Sequence, residues 1–335
     1  MAEPTPVCEH EAPNAAALDR LLCANGGPFV VRGLAAHWPL VEAGLRSARD
    51  ARSYLLAHAR NRDFPLASAE PEADGRLFYD ADMQVNFRMG QGPLGKIFAG
   101  FDAAETHPRV PTIYLGSIDI GQYFDRLDRD NRIELGARDP IASIWIGNET
   151  RIAAHNDFPD NVAVCAVGQR RFTLFPPEQF ANLYLGPLDN TPAGRAISMV
   201  DHDNPDFDLH PRYREALASA EVAELEPGDA LHIPSGWYHR VEALARFNVL
   251  VNYWWRESPR WMGEPQEALL HAILSLRGLP EAQRAVWRQM FDHYVFSGGA
   301  EAARHLPDGT RGVLDPLDVH SAGRLRAFLL RSLSR

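Results

Sequence analysis

The chain has 335 residues, 45% hydrophobic, 10% aromatic and 23% charged, which excludes a disordered or fibrous protein and suffices to bury a full core. Its net charge of −10, with Lys96 the only lysine, argues against a protein that coats nucleic acid, since that task needs clustered cations facing phosphates. No apolar run reaches the roughly 18 residues of a membrane span, the opening MAEPTPVCEHEAP lacks the basic flank of a secretion signal, and Cys8, Cys23 and Cys165 form no C-x-x-C pair; a cytoplasmic chain with reduced thiols is expected.

Asn14 is placed to cap a helix over AAALDRLL that stops at Gly26-Gly27, followed by a strand at FVVRG. Ser47, with Asp50 three residues on, opens a second helix over ARDARSYLLAHARN. ASAEPEADGR reads as a loop before LFYD, VPTIYLGSI as a strand, and IGQYFDRL as a helical turn or two. From residue 141 the pattern changes to short β runs between turns: IASIWIG, IAAHND, NVAVCAV, RRFTLF, AEVAEL, DALHIP, WYHRVEAL and FNVLVNYWW. Such spacing predicts a β-sandwich or barrel. Pro-Gly-Asp at 227–229 and Pro-Ser-Gly at 234–236 mark tight turns, and residues 176–220 form a Pro/Asn/Asp-rich insertion of the kind that carries substrate contacts. Beyond residue 259 the chain is helical, over EALLHAILSLRG, EAQRAVWRQMFDHYVF and SAGRLRAFLLRSL. Trp287, Met290, Phe291 and Tyr294 make an apolar stripe, read either as packing against the β domain or as a homodimer interface.

The segment AAHNDFPDNVAV, residues 153–164, carries the chemistry. Side chains two apart on a strand share a face, so His155 and Asp157 converge while Asn156 points away. A third ligand has to come from elsewhere, and His202, His210, His232 and His239 are available. His239 is preferred because it opens a strand just past the Pro-Ser-Gly-Trp bend; His202 and His210 lie in the insertion, where exposed histidines are common. Two histidines and one carboxylate leave positions open on an octahedral metal, as a non-haem Fe(II) oxygenase requires, whereas a structural zinc site is closed by four protein ligands.

IYLGS at 113–117, WIGNETRIAAHNDFPDN, GQRRFTLFPPEQF, GDALHIPSGWYHRVEAL and VNYWW together resemble the JmjC-type, cupin-like 2-oxoglutarate oxygenases, the group that includes the asparaginyl hydroxylase of hypoxia-inducible factor. The resemblance spans about residues 28–258. It implies a mainly β fold, a double-stranded β-helix (jelly-roll) core lying mostly within 110–258, with flanking N-terminal α/β elements. The oxygenase domain would take residues 1–258, and residues 259–335 a helical region suited to dimerisation. The resemblance further implies that His155, Asp157 and His239 hold Fe(II), and that Tyr114, Asn161 and Asn252 contact 2-oxoglutarate. Taken as residues alone, Tyr114 reads equally as a core aromatic and Asn252 as an amide satisfying strand backbone. Two positions depart from the family pattern. Arg170 stands in Gly168-Gln169-Arg170 where relatives carry a lysine that pairs with the distal carboxylate, and Ile152 stands where a hydroxyl side chain is common, leaving Thr150 as a displaced substitute. Arginine also binds carboxylates, through a bidentate fork. The implied activity couples oxidative decarboxylation of 2-oxoglutarate by O₂ to hydroxylation of a C–H bond. Trp145, Phe158, Trp237 and Tyr238 lie near the ligands in sequence and read either as walls of the pocket or as plain core aromatics. The substrate is expected to be a peptide side chain or small molecule rather than nucleic acid; a metal- or small-acid-binding module without turnover is the second reading.

Overall fold

The computed structural model describes residues 5–24, 26–104, 110–297, 302–307 and 309–334, which form two compact units, Met1–Arg256 and Glu257–Arg335. In the first unit the strands are, in chain order, β1 Thr5–Pro6, β2 Cys8–Glu9, β3 Phe29–Val31, β4 Asp63–Ala69, β5 Arg76–Leu77, β6 Arg88–Pro93, β7 Thr112–Asp119 and β8 Ile141–Gly147. They continue as β9 Arg151–Asn156, β10 Asp160–Val167, β11 Arg170–Phe175, β12 Glu221–Leu225, β13 Ala230–Ile233, β14 Tyr238–Ala243 and β15 Asn248–Trp255.

Two sheets result, a six-stranded one ordered β1-β12-β11-β14-β9-β5 and a nine-stranded one ordered β2-β3-β13-β10-β15-β8-β7-β4-β6. From β8 to β15 the chain passes back and forth between the sheets, and this alternation is the double-stranded β-helix. NVAVCAV and RRFTLF are therefore not a paired hairpin: β10 lies in the large sheet and β11 in the small one. The corner between them needs Gly168, at φ +77°, because a Cβ there would sit 2.4 Å from Asn248 Oδ1 and 2.7 Å from Phe247 O.

The local signals act through ordinary capping and turn chemistry. Asn14 Oδ1 accepts from Ala17 N at 3.0 Å at the start of the helix Ala15–Ala24, and Ser47 Oγ accepts from Asp50 N at 3.0 Å at the start of Ala48–His58. In the Pro-Gly-Asp turn, the Asp229 carboxylate accepts from Glu226 N at 3.0 Å and Gly33 N at 2.8 Å and pairs with Arg32 at 2.7 Å. The N-terminal helices contribute Leu40, Val41 and Leu55 to a core that also takes Ile144, Ile146, Val162, Val164, Val249 and Val251 from the large sheet. A second core, with Ala163, Cys165, Phe172, Leu174, Val241 and Leu250, draws on strands of both sheets.

Part of the stretch read as a loop is strand: Ala67–Ala69 end β4, which pairs with both β6 and β7. The strand β6 carried no readable signal, because RMGQGP has two glycines and a proline where a strand usually has branched or aromatic residues. In the second unit the helices are Pro265–Leu276, Glu281–Phe291, continued by a π-turn Asp292–Phe296, and Val319–Leu333, the last opened by a capping box between Asp318 and Ser321. Among these helices only Ala322 is buried within the chain, and Trp287, Met290 and Tyr294 stay 41%, 39% and 44% exposed.

Candidate metal centre and its cavity

One histidine of the centre comes from β9 and the other from β14, neighbouring strands of the small sheet in which His155 and His239 lie directly opposite each other, ring centroids 4.5 Å apart. Asp157 follows one residue past the end of β9. One ligand atom from each of the three lies within 4.8 Å of the other two, the one such cluster of His, Cys, Asp or Glu side chains among the described residues. His239 Nε2 stands 3.8 Å from Asp157 Oδ2, too far for a hydrogen bond and within the roughly 3–4 Å at which two ligands about 2.1 Å from a common ion are separated.

Both rings are oriented from behind. His155 Nδ1 lies 2.9 Å from Ala153 O and His239 Nδ1 lies 3.2 Å from Trp237 O. A carbonyl only accepts, so each Nδ1 donates to it and Nε2 is the nitrogen left to face a metal. Burial, with His155 adjacent, pulls His239 down to about 4, so it is neutral at pH 7 as a ligand must be.

A bulge makes this register possible. His239 pairs with His155, yet Val241 pairs with Ile152, so β9 holds one extra residue between these pairs. Ile152 and His155, three apart, consequently both line the same cavity, which a regular strand would forbid.

That cavity has a volume of about 340 Å³ and is lined by all seven residues singled out in the sequence: the triad with Tyr114, Asn161, Arg170 and Asn252. Asn252 Nδ2 donates to Asn161 Oδ1 at 2.9 Å, and Asn252 Oδ1 is buried without a partner. Arg170 is 1% exposed, and its Nε and Nη2 have no hydrogen-bond partner. Among the described residues no carboxylate lies within 4.0 Å of its guanidinium. Burial lowers the Arg170 pKa, against the pull of Tyr114 and Cys165, while burial raises Tyr114 to about 12, so its hydroxyl keeps its proton at neutral pH. The donor set and the orphaned buried groups fit a metal ion together with a small anionic chelator.

Of the aromatics expected to wall the pocket, only Trp145 does. Tyr238 precedes inward-facing His239 on the same strand, so alternation turns it to the outer face, against Ala154, Phe175 and Tyr213. Phe158 instead stacks under Arg195, and Trp237 lies outside the lining. Thr150 is buried with its hydroxyl unpartnered but does not reach the cavity. His202 is not a surface histidine: its Nδ1 is 2.7 Å from the Tyr213 hydroxyl and burial lowers it to about 4. His232 packs between Phe29 and Trp255, away from the centre. Residues without a readable signal complete the cavity: Leu66, Phe87 and Met89 from the region of β4 and β6, Trp254 from β15, and Pro192 and Ile197 from the insertion.

The pattern of the cupin-like domain family matches residues 15–260 of the chain. The lysine-specific demethylase JMJ31 of Arabidopsis thaliana is 30% identical over 117 residues, 35% of this chain and 21% of that protein. The tRNA wybutosine-synthesizing protein 5 of Danio rerio is 37% identical over 105 residues, 31% of this chain and 29% of that protein, and the HSPB1-associated protein 1 of Homo sapiens is 28% identical over 140 residues, 40% and 27% respectively. The chain thus spans less than a third of the length of each of these relatives. With the strand order of a double-stranded β-helix, the triad at one end of it and a family match over most of its length, the chain belongs to the cupin-like, JmjC-type family.

Proposed function

We propose that the chain is an Fe(II)- and 2-oxoglutarate-dependent oxygenase that hydroxylates a C–H bond of an uncharged substrate group. The observation that carries the reading is the buried guanidinium of Arg170, short of partners and opening into the same cavity as two imidazoles and a carboxylate. A permanently charged side chain in that position calls for an anion, and a dicarboxylate that also reaches the metal would satisfy both the guanidinium and the triad. Fe(II) held by His155, Asp157 and His239 would supply O₂ activation and oxidative decarboxylation of the oxoacid to succinate.

The residues of the chain bind, orient and exclude water. Arg170 takes the distal carboxylate, and Tyr114 donates its retained proton to the same group. Asn161 and Asn252, joined by their hydrogen bond, border the oxoacid with their amides on β10 and β15. Beyond these groups the wall is mainly apolar, with Leu66, Phe87, Met89, Trp254, Pro192 and Ile197, and among the described residues Asp157 and Arg170 are the only carboxylate and guanidinium lining the cavity. A cationic side chain would find no carboxylate there except the metal ligand, so an uncharged peptide side chain or small molecule is the favoured class. Anaerobic calorimetry with Fe(II) followed by 2-oxoglutarate tests the reading, together with a screen for substrate-stimulated succinate release. Binding of neither would overturn it.

A further inference from the structure

The insertion between β11 and β12 lies on both sides of the metal centre: Pro192 and Ile197 line the cavity, and the residues that follow cover the outer face of the strands carrying the histidines. Ser198 N donates to Ala154 O at 2.7 Å, so the carbonyl of the bulge residue next to His155 is satisfied by the insertion. Five residues on, Asp203 meets both metal strands. Arg240 Nη2 lies 2.7 Å from each Asp203 oxygen, and Arg151 Nη1 lies 3.2 Å from Asp203 Oδ2. Arg151 opens β9, and Arg240 follows His239 on β14. Arg240 also pairs with Glu242 at 2.5 Å, and Arg151 with Asp74 at 2.6 Å.

We propose that Asp203 is a positioning residue of the metal centre, clamping Arg151 and Arg240 so that the bulge in β9, and with it the spacing of His155 and His239, is fixed. The inference rests on the reading of the triad as a metal site. An ordinary surface ion pair has little effect on structure. This one differs in three respects: the Arg240 side chain is only 7% exposed, one carboxylate bridges two strands, and the bridge lies directly behind an irregularity in their pairing. A bulge has an unpaired residue and a weakened ladder, so its geometry depends on what holds it from outside. Groups hydrogen-bonded to metal ligands change metal affinity by about 10- to 100-fold when removed; Asp203 touches no ligand and acts through the two strands, so the lower end of that range applies.

The test uses Co(II) as the probe, titrated calorimetrically into the metal-free chain of 335 residues, with its ligand-field absorption recorded at saturation. Asp203→Ala is expected to weaken Co(II) binding by about tenfold or more and to alter the spectrum, and the isosteric Asp203→Asn to do so to a lesser degree. Glu224→Gln, which removes the negative charge 2.7 Å from Arg171 in the same sheet, is expected to leave both readings at wild-type values. Should Asp203→Ala fail to fold, Asp203→Asn decides. Co(II) affinity and spectrum unchanged in a folded Asp203 variant would overturn the proposal, as would an equal loss in Glu224→Gln. An unaltered chain that binds no Co(II) would remove the metal reading itself and the positioning role with it.

Discussion

Replacing Arg170 with methionine should change stability and ligand binding in opposite directions. The side chain is 1% exposed, two of its nitrogens lack partners, and burial lowers its pKa, so the resting fold carries a charge it does not satisfy. Substituting a buried charged group by an apolar one of similar length is often neutral or stabilising by about 1–4 kcal/mol. For a domain of this size that is a rise of several degrees in Tm. The same change removes the proposed partner of the distal carboxylate, for which a loss of about 2–5 kcal/mol is expected. That corresponds to roughly 30-fold to several-thousand-fold weaker 2-oxoglutarate binding. Thermal unfolding with and without metal and 2-oxoglutarate reads both effects. Ligand at about 100 times its Kd stabilises the unaltered protein by about 2.7 kcal/mol, and the Arg170→Met protein should gain almost nothing at that concentration. A variant less stable than wild type in the absence of ligand, yet binding 2-oxoglutarate equally well, would show that Arg170 is a structural group and refute the reasoning.

His239→Ala and Asp157→Ala should each lose most metal binding in calorimetry while keeping the far-ultraviolet circular dichroism of the fold; retention of full affinity in both would remove the triad. Lowering the pH should destabilise the protein through His202 and His232, each held at about 4 by burial. Their folded-state values lie below the unfolded value of about 6.5, so the unfolded chain takes up protons first. The stabilisation is complete above about pH 6.5 and falls away as pH drops towards 4, by on the order of 1–2 kcal/mol for each histidine between pH 7 and 5. Urea melts across that range check it, and His232→Phe, which keeps an aromatic ring between Phe29 and Trp255, should flatten the dependence. The second unit should mediate a homodimer, because its helices bury almost nothing within the chain and leave Trp287, Met290 and Tyr294 exposed beside an apolar groove lined by Trp261, Phe291, Leu329 and Leu333. Sedimentation equilibrium should give twice the chain mass, reduced to the monomer by Met290→Asp; a single monomeric species for the unaltered chain at micromolar concentration would exclude it.

What could be read from the sequence was whatever depends on neighbours along the chain. Alternation places His155, His239, Arg170 and Phe172 on cavity-facing positions, and capping by Asn14 and Ser47 sets two helix starts. The misses come from features fixed by distant residues. The extra residue in β9 breaks the parity that Ile152 and His155 would otherwise obey, and nothing in RIAAHN announces it, because the bulge is held by Ser198 and by the Asp203 clamp from the insertion. Proximity in sequence to a ligand suggested Tyr238 as a pocket residue, and parity sends it to the other face. Pairing between β4 and β6 rests on backbone hydrogen bonds that a Gly-rich strand makes as well as a branched one, so composition did not reveal it.

The location of the unsatisfied groups is itself an argument for function. Asn252 Oδ1, Nε and Nη2 of Arg170 and the indole nitrogens of Trp145 and Trp254 are all buried without partners, and all belong to residues lining one cavity. Each such group destabilises a fold by about 1–3 kcal/mol, more where it is charged. A core maintained for packing alone would have replaced them with apolar side chains, as Val241 and Leu250 already do at neighbouring positions of the same cavity. Their presence together in the cavity that holds the triad means that the apo fold forgoes stability there in favour of contacts made when the cavity is filled. The chemistry of those contacts is specific: two indole donors and a guanidinium call for acceptors, with negative charge at the Arg170 end, and one amide oxygen calls for a donor. A ligand answering only to Arg170, such as a monocarboxylate, would leave the triad end unfilled. A ligand answering only to the metal would leave Arg170 unpaired. An oxoacid with a second carboxylate would answer to both, and this would link Arg170, on β11 beside β14 in the small sheet, to the triad that lines the same cavity.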